Sequence, residues 1–176
     1  MDRFVNNLVG TFGLAVSDVV TESVAEVVGH AGALGAAVSY LFQKPGCGIE
    51  QLREPLGLSQ PAAVRLVQQM VEAGLATRSS DSSDRRRVQI HLTRHGRAVA
   101  ESLLAARRNA VDSLLSGLSP AEQDSLAALI SKALAAAVVD RAHGEQMCRL
   151  CDVPACPDPR CPIEASICAR SAAAQR

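Results

Sequence analysis

The sequence predicts a mainly α-helical chain that carries one small β-hairpin, and three observations predict it. Apolar residues recur at helical spacing through most of the 176 residues. Apolar residues make up 48% of the chain but aromatic residues only 2%, which favours a core of closely packed Ala, Leu and Val on helices. Strict apolar–polar alternation, the mark of a half-buried strand, is confined to the short stretch "RVQIHLT". The length fits one domain with a core of ordinary size.

Phe4, Leu8, Phe12, Ala15, Val19 and Val27 fall near helical spacing, so residues 4–28 are expected to form a long helix with one apolar stripe. Its length and terminal position suit a contact between subunits. Asn6, Asn7, Asp18, Glu22 and Glu26 make the stretch read as too polar to span a membrane, and it lacks the apolar block and cleavage site of a secretory signal. A cytoplasmic protein with no membrane partner is therefore expected. "AGALGAAVSYLFQ" reads as a second helix, stopped by Pro45 and the glycines around Cys47. "GIEQLREPLGL" gives a short third helix, Ile49 to Leu56, with Pro55 near its end.

In "SQPAAVRLVQQMVEAGLA", Ser59 is a candidate N-cap, Pro61 sits in the first turn where its missing N–H costs nothing, and Gly74 closes the helix. Val64, Val67, Met70 and Val71 form the expected apolar side; Ser59, Gln60, Ala63, Arg65 and Gln69 lie largely off it. These two short helices joined by "GLS" make a helix-turn-helix pattern. "LATRSS" and "RVQIHLT" then read as strands on either side of the polar loop "SDSSDRRR". Strand, basic loop and strand behind a helix-turn-helix make a winged helix. Two long amphipathic helices follow, "RHGRAVAESLLAARRNAVDSLLSGL" and "SPAEQDSLAALISKALAAAVVDRAHGEQM", the second opened by a Ser119, Pro120 and Glu122 capping arrangement. The expected organisation is a dimerisation helix at 1–29, a winged helix-turn-helix at 30–97, dimerisation helices at 98–147 and a cysteine-rich tail at 148–176.

The formal net charge is zero and excludes no partner, but its distribution is uneven. Between Ser59 and Arg97 stand Arg65, Arg78, Arg85, Arg86, Arg87, Arg94 and Arg97, against only Glu72, Asp81 and Asp84. A compact basic face is the electrostatic footprint of a DNA binder. No catalytic residues are expected: His30, His91, His95 and His143 are scattered and no triad is evident.

At this point the chain resembles the MarR family of bacterial transcriptional regulators, from about residue 30 to 140. The resemblance rests on "LGLSQPAAVRLVQQMVEAGLATR" and on "DRRRVQIHLT", which fits the family's wing pattern through Asp84, Arg86, Leu92 and Thr93. It implies a homodimer that offers two winged helices to a pseudo-palindromic operator in double-stranded DNA. It places Ser59, Gln60, Ala63 and Arg65 on the face of the recognition helix that enters the major groove, with Gln69 reaching phosphate. Arg65 is the candidate for a bidentate contact to guanine, or for a phosphate contact without base choice. Asp84 resembles the acidic residue that braces the wing, and Arg86 the arginine that reaches a narrow minor groove. Arg85 and Arg87 are expected at phosphates or in water.

The tail departs from that family. "CRLCDVPACPDPRCPIEASIC" holds Cys148, Cys151, Cys156, Cys161 and Cys168; the sixth cysteine, Cys47, is expected to be a small buried residue. Cys148 and Cys151 share one face of a final helical turn. Pro154, Pro157, Pro159 and Pro162 prevent that helix from continuing and put Cys156 and Cys161 on a loop able to fold back. Four thiolates converging suit an iron–sulfur cluster or a tetrahedral zinc; metal-free thiol or disulfide chemistry is a third reading. "CRLC" with a later "RCPIE" resembles the cluster-binding loops of MerR-family redox regulators. Cys148, Cys151, Cys156 and Cys161 are the expected ligands, with Cys168 spare or alternative. The expected function is a repressor that senses redox state or iron through a cluster in the tail. The alternative is a regulator with a structural zinc there and a small-molecule signal.

Overall fold

The computed structural model describes residues 2–29, 32–80, 88–156 and 161–174. In chain order its elements are α1 (Arg3–Val28), α2 (Ala33–Gln43), α3 (Ile49–Arg53), α4 (Gln60–Glu72), β1 (Ala76–Ser80), β2 (Val88–Leu92), α5 (Arg94–Leu114), α6 (Pro120–Ala137), α7 (Arg141–Met147), a 3-10 turn (Val153–Ala155) and α8 (Pro162–Ala174). The mainly helical fold with one small wing is the one expected. The wing loop with Asp84, Arg85, Arg86 and Arg87, and also His30, lie outside the described residues.

The main core is that of the winged helix. Val38 and Leu41 of α2, Leu52 of α3, and Val67 and Met70 of α4 close on Leu75, Ile90 and Leu92 of the wing and on Ala100 of α5. β1 and β2 pair antiparallel with Ala76 opposite Leu92 and Ser80 opposite Val88. Ile90 and Leu92 point inward, as their alternation requires, while Val88 at the outer end is exposed. Cys47 adds a bridge to Ile90 on the edge away from β1. Its thiol is buried, and burial pushes it up to about 11, so it is a packed thiol with no tendency to ionise.

Thr93 holds the wing to α5. Its hydroxyl donates to Gly74 O at 2.6 Å and accepts the Gly96 N–H at 2.9 Å, so one side chain caps α5 and ties it to the end of α4. Gly96 permits this closeness: a Cβ there would stand 2.0 Å from the Leu75 carbonyl oxygen.

Two helices bury little of their apolar surface. α1 packs Val20, Val24 and Val27 against Leu103 and Leu104 of α5. Its other half leaves Phe4, Val5, Leu8, Val9 and Leu14 exposed. α6 has no buried residue, and Leu129 is 65% exposed. The expectation that α1 is too polar for a membrane is corrected here. By length and composition Arg3–Val28 is long and apolar enough to cross one. No charged residue falls between Phe4 and Ser17; Asp18, Glu22 and Glu26 all lie in the half that packs on α5.

The expected helix over 119–147 divides in two. Val138 is extended (ψ 128°), and the Asp140 carboxylate accepts the His143 N–H at 2.8 Å, which starts α7 afresh. Paired β-branched valines resist helix continuation, and Val138 is buried against Ile163 and Ile167 of α8. α8 itself was not foreseen. Pro162 breaks the preceding chain but is also well placed in a first helical turn, where it opens α8. Gly144 lies where α8 presses on α7; a Cβ there would come within 2.8 Å of Ile167 Cδ1. The tail therefore forms a small folded unit with α7 rather than a loop alone.

Candidate nucleic-acid interface and thiol site

α4 buries Ala63, Leu66, Val67 and Met70, a run with the i, i+3, i+4, i+7 spacing of one helix face. Its outward face shows Gln60, Arg65, Gln68 and Gln69. Ser59 is the residue before α4 and is exposed, without a side-chain capping bond. The expectation for Ala63 is corrected: it is fully buried and cannot touch a partner. Val64, expected on the apolar side, is instead 42% exposed beside Arg65. Val64 is the residue that the sequence reading missed. An exposed aliphatic group on a reading helix fits the methyl of thymine. Arg78 on β1 and Arg94 and Arg97 at the start of α5 are also exposed.

The second site is built from α2, α7 and the tail. Cys148 caps α7, and the Cys151 N–H donates to its carbonyl at 2.8 Å, so both thiols hang from one turn. Cys161 sits just ahead of α8, where its Sγ accepts the Glu164 N–H at 3.4 Å. The four thiols form a chain of neighbours: Cys148 hydrogen-bonds Cys151, Cys151 meets Cys156, and Cys156 meets Cys161. Together they line a cavity of about 260 Å³, which Tyr40 of α2 and Lys44 just after α2 also line. Cys168 lies one step out, with its Sγ donating to Glu164 Oε1 at 3.5 Å.

The hydrogen bond from Cys148 holds the Cys151 thiol down, to about 6, with Arg107 assisting against burial. The same hydrogen bond, then burial, pushes Cys148 well up. Burial, then the neighbouring Cys161, raises Cys156 to about 11. Among the described residues, no group of three or more His, Cys, Asp or Glu is set to hold a metal ion. The thiols are thus collected as neighbours without being closed into a coordination shell. As a donor set they are all sulfur, the set that iron–sulfur clusters and structural zinc accept.

Residues 36–88 match the MarR family. This part of the chain is similar to the MarR family. An uncharacterised HTH-type transcriptional regulator of Bacillus subtilis, YwhA, is 26% identical over 98 residues, 56% of this chain and 70% of its own length. Among solved structures, RV1404 of Mycobacterium tuberculosis is 21% identical with a TM-score of 0.70, over 79% of this chain and 97% of that one. A variant of the Staphylococcus aureus regulator MepR, solved bound to an oligodeoxyribonucleotide, is 22% identical with a TM-score of 0.58 (75% and 96% coverage). The MarR match ends well before the five cysteines of the tail. The tail docks on the winged helix through α2.

Proposed function

We propose that this protein is a cytoplasmic, homodimeric repressor whose tail thiols hold an iron–sulfur cluster, with the state of that site as the signal. Each α4 enters a major groove of a pseudo-palindromic operator, with Ser59, Gln60 and Arg65 on the face toward base edges and Gln69 toward phosphate. The unpartnered apolar halves of α1 and α6 face a second copy. Cys148, Cys151, Cys156 and Cys161 are the ligands, and Cys168 is in reserve. The observation that carries the reading is a placement: the thiol cavity rests on α2, inside the same winged helix that turns the outward face of α4 to solvent. The MepR structure with an oligodeoxyribonucleotide supports the DNA part.

When bound, an iron–sulfur cluster supplies a redox couple tuned by hydrogen bonds to sulfur and by solvent exposure. The residues around it do the rest. Tyr40 and Lys44 wall the cavity, Arg107 offsets thiolate charge, and the start of α8 donates a backbone N–H to Cys161.

The test is anaerobic purification followed by visible absorption, iron and zinc analysis, and binding to a duplex selected by the protein from a random library. A visible band with iron is expected, together with an affinity that changes about 5- to 150-fold on oxidation, the span of a 1–3 kcal/mol coupling. Cys148→Ser with Cys151→Ser should abolish both. Stoichiometric zinc without a visible band would replace the cluster by a structural zinc and move the signal to a small molecule. Neither metal, with unchanged binding on oxidation, would remove the tail from regulation.

A further inference from the structure

The thiol site and the wing meet at the end of α2. On one side, Gln43 Nε2 donates to the Cys151 carbonyl at 2.7 Å. Lys44 is paired with Glu145 of α7, and the Tyr40 hydroxyl donates to the other oxygen of that carboxylate at 3.3 Å. On the other side the chain enters the wing directly. The Gly46 N–H donates to Ile90 O at 3.0 Å, and the Ile90 N–H donates to Cys47 O at 3.1 Å. Ile90 is fully buried and faces Arg78 of β1 across the hairpin. Residues 43–47 therefore hold the thiol loop with their first members and the wing strand with their last.

We infer that segment 43–47 couples occupancy of the thiol site to the pose of the wing, with Gln43 and Lys44 as the positioning residues. This rests on the reading that the four thiols hold a metal centre. The two-state element is the turn over 148–156. Ligated, its cysteines fix that turn, and the Cys151 carbonyl stays on Gln43. Unligated, the turn keeps its own backbone bonds, such as Cys151 N–H to Cys148 O and Cys156 N–H to Val153 O, but loses the cross-link between Cys148, Cys151, Cys156 and Cys161, so the grip of Gln43 on the Cys151 carbonyl is held less firmly. A buried hairpin edge that gains or loses its anchor two residues away shifts as a unit, because packed cores move between discrete arrangements rather than deforming smoothly. The tail has a second anchor on α5, where Arg108 reaches Asp152 at 3.5 Å and Leu150 packs by Leu103 and Leu104. That anchor does not touch the wing, so it separates the two routes.

The experiment uses the full chain, stripped by a chelator or loaded with zinc alone. It reads metal content, amide hydrogen exchange over 44–47 and 88–92, and affinity for the selected duplex. In the wild-type protein, loading should slow exchange in both segments and change duplex affinity about 5-fold or more. Gln43→Ala with Lys44→Ala, compared with the wild-type protein at matched zinc occupancy, should show exchange and affinity responses that fall to about 2-fold or less. Arg108→Ala should keep the wild-type response. A double variant that keeps the full response would overturn the inference, as would a wild-type protein that binds zinc with no change at the wing. A wild-type protein with neither zinc nor iron at any thiol removes the metal reading itself, and metal analysis alone identifies that outcome.

Discussion

Val64 and Arg65 stand next to one another on the open side of α4, and Ala63 just before them is sealed inside. One step along a helix turns a side chain by about 100°, enough to exchange a reading position for a core position. Arg65→Ala is expected to cost about 1–3 kcal/mol of duplex binding and to relax choice at one base pair per half-site. Equal weakening across all duplexes would make Arg65 a phosphate contact. The reassignment of the neighbouring pair is open to test by denaturant unfolding. Val64→Ala should change stability by no more than about 0.5 kcal/mol, as exposed substitutions do. Ala63→Gln should cost about 1–3 kcal/mol, because a long polar group has no room there.

Among the elements, the junction of α4, the wing and α5 depends on two small residues. Thr93→Ala removes the cap of α5 and the bond to Gly74 O together, and should lower unfolding free energy by about 1–2 kcal/mol. Gly96→Ala drives a methyl into a backbone oxygen that cannot rotate away, and should cost about 1–3 kcal/mol or more. Urea melts of both variants check the order of the effects. α7 and α8 form a second junction, where Val138, Ile163 and Ile167 make a small core of their own beside Cys148 and Cys161. Ile163→Ala should loosen that unit and cost thiol-site metal before it costs duplex binding. Metal analysis against binding titration would show the two losses separating, and a simultaneous loss would argue against a separate unit.

At the scale of the whole molecule, the exposed apolar surface of α1 and α6 is what the proposed homodimer would bury. Phe4, Leu8 and Val9 on one helix and Leu129 and Ile130 on another lie open in a single chain. Burying such surface yields roughly 25 cal/mol for each Å². A dimer is expected by light scattering at micromolar concentration. Leu8→Asp with Phe12→Asp should give the 18.5 kDa monomer while helix content is kept. A wild-type monomer would leave α1 without the partner proposed for it.

Much of this architecture was legible in the residue pattern. Apolar period, Pro61, Gly74 and the alternation of Val88, Ile90 and Leu92 determined the helix-turn-helix and the hairpin, because local backbone preference and side-chain period act within a few residues. The cysteine spacing likewise foretold that four thiols gather. Local pattern was silent where two solutions cost nearly the same along the chain. Val64 and Ala63 are both apolar, and only the packing of α4 into the winged helix placed the smaller one in the interior. The helix after Ser119 read as continuous until Val138 found Ile163 and Ile167, partners more than twenty residues away. Pro162 read as an end because a proline breaks what precedes it, yet with Glu164 and the Cys161 sulfur it begins α8. The docking of the tail on Gln43 and Lys44 joins positions about a hundred residues apart. Contacts of that kind are decided by shape and charge in three dimensions, so only the tertiary structure could place the thiols against the winged helix.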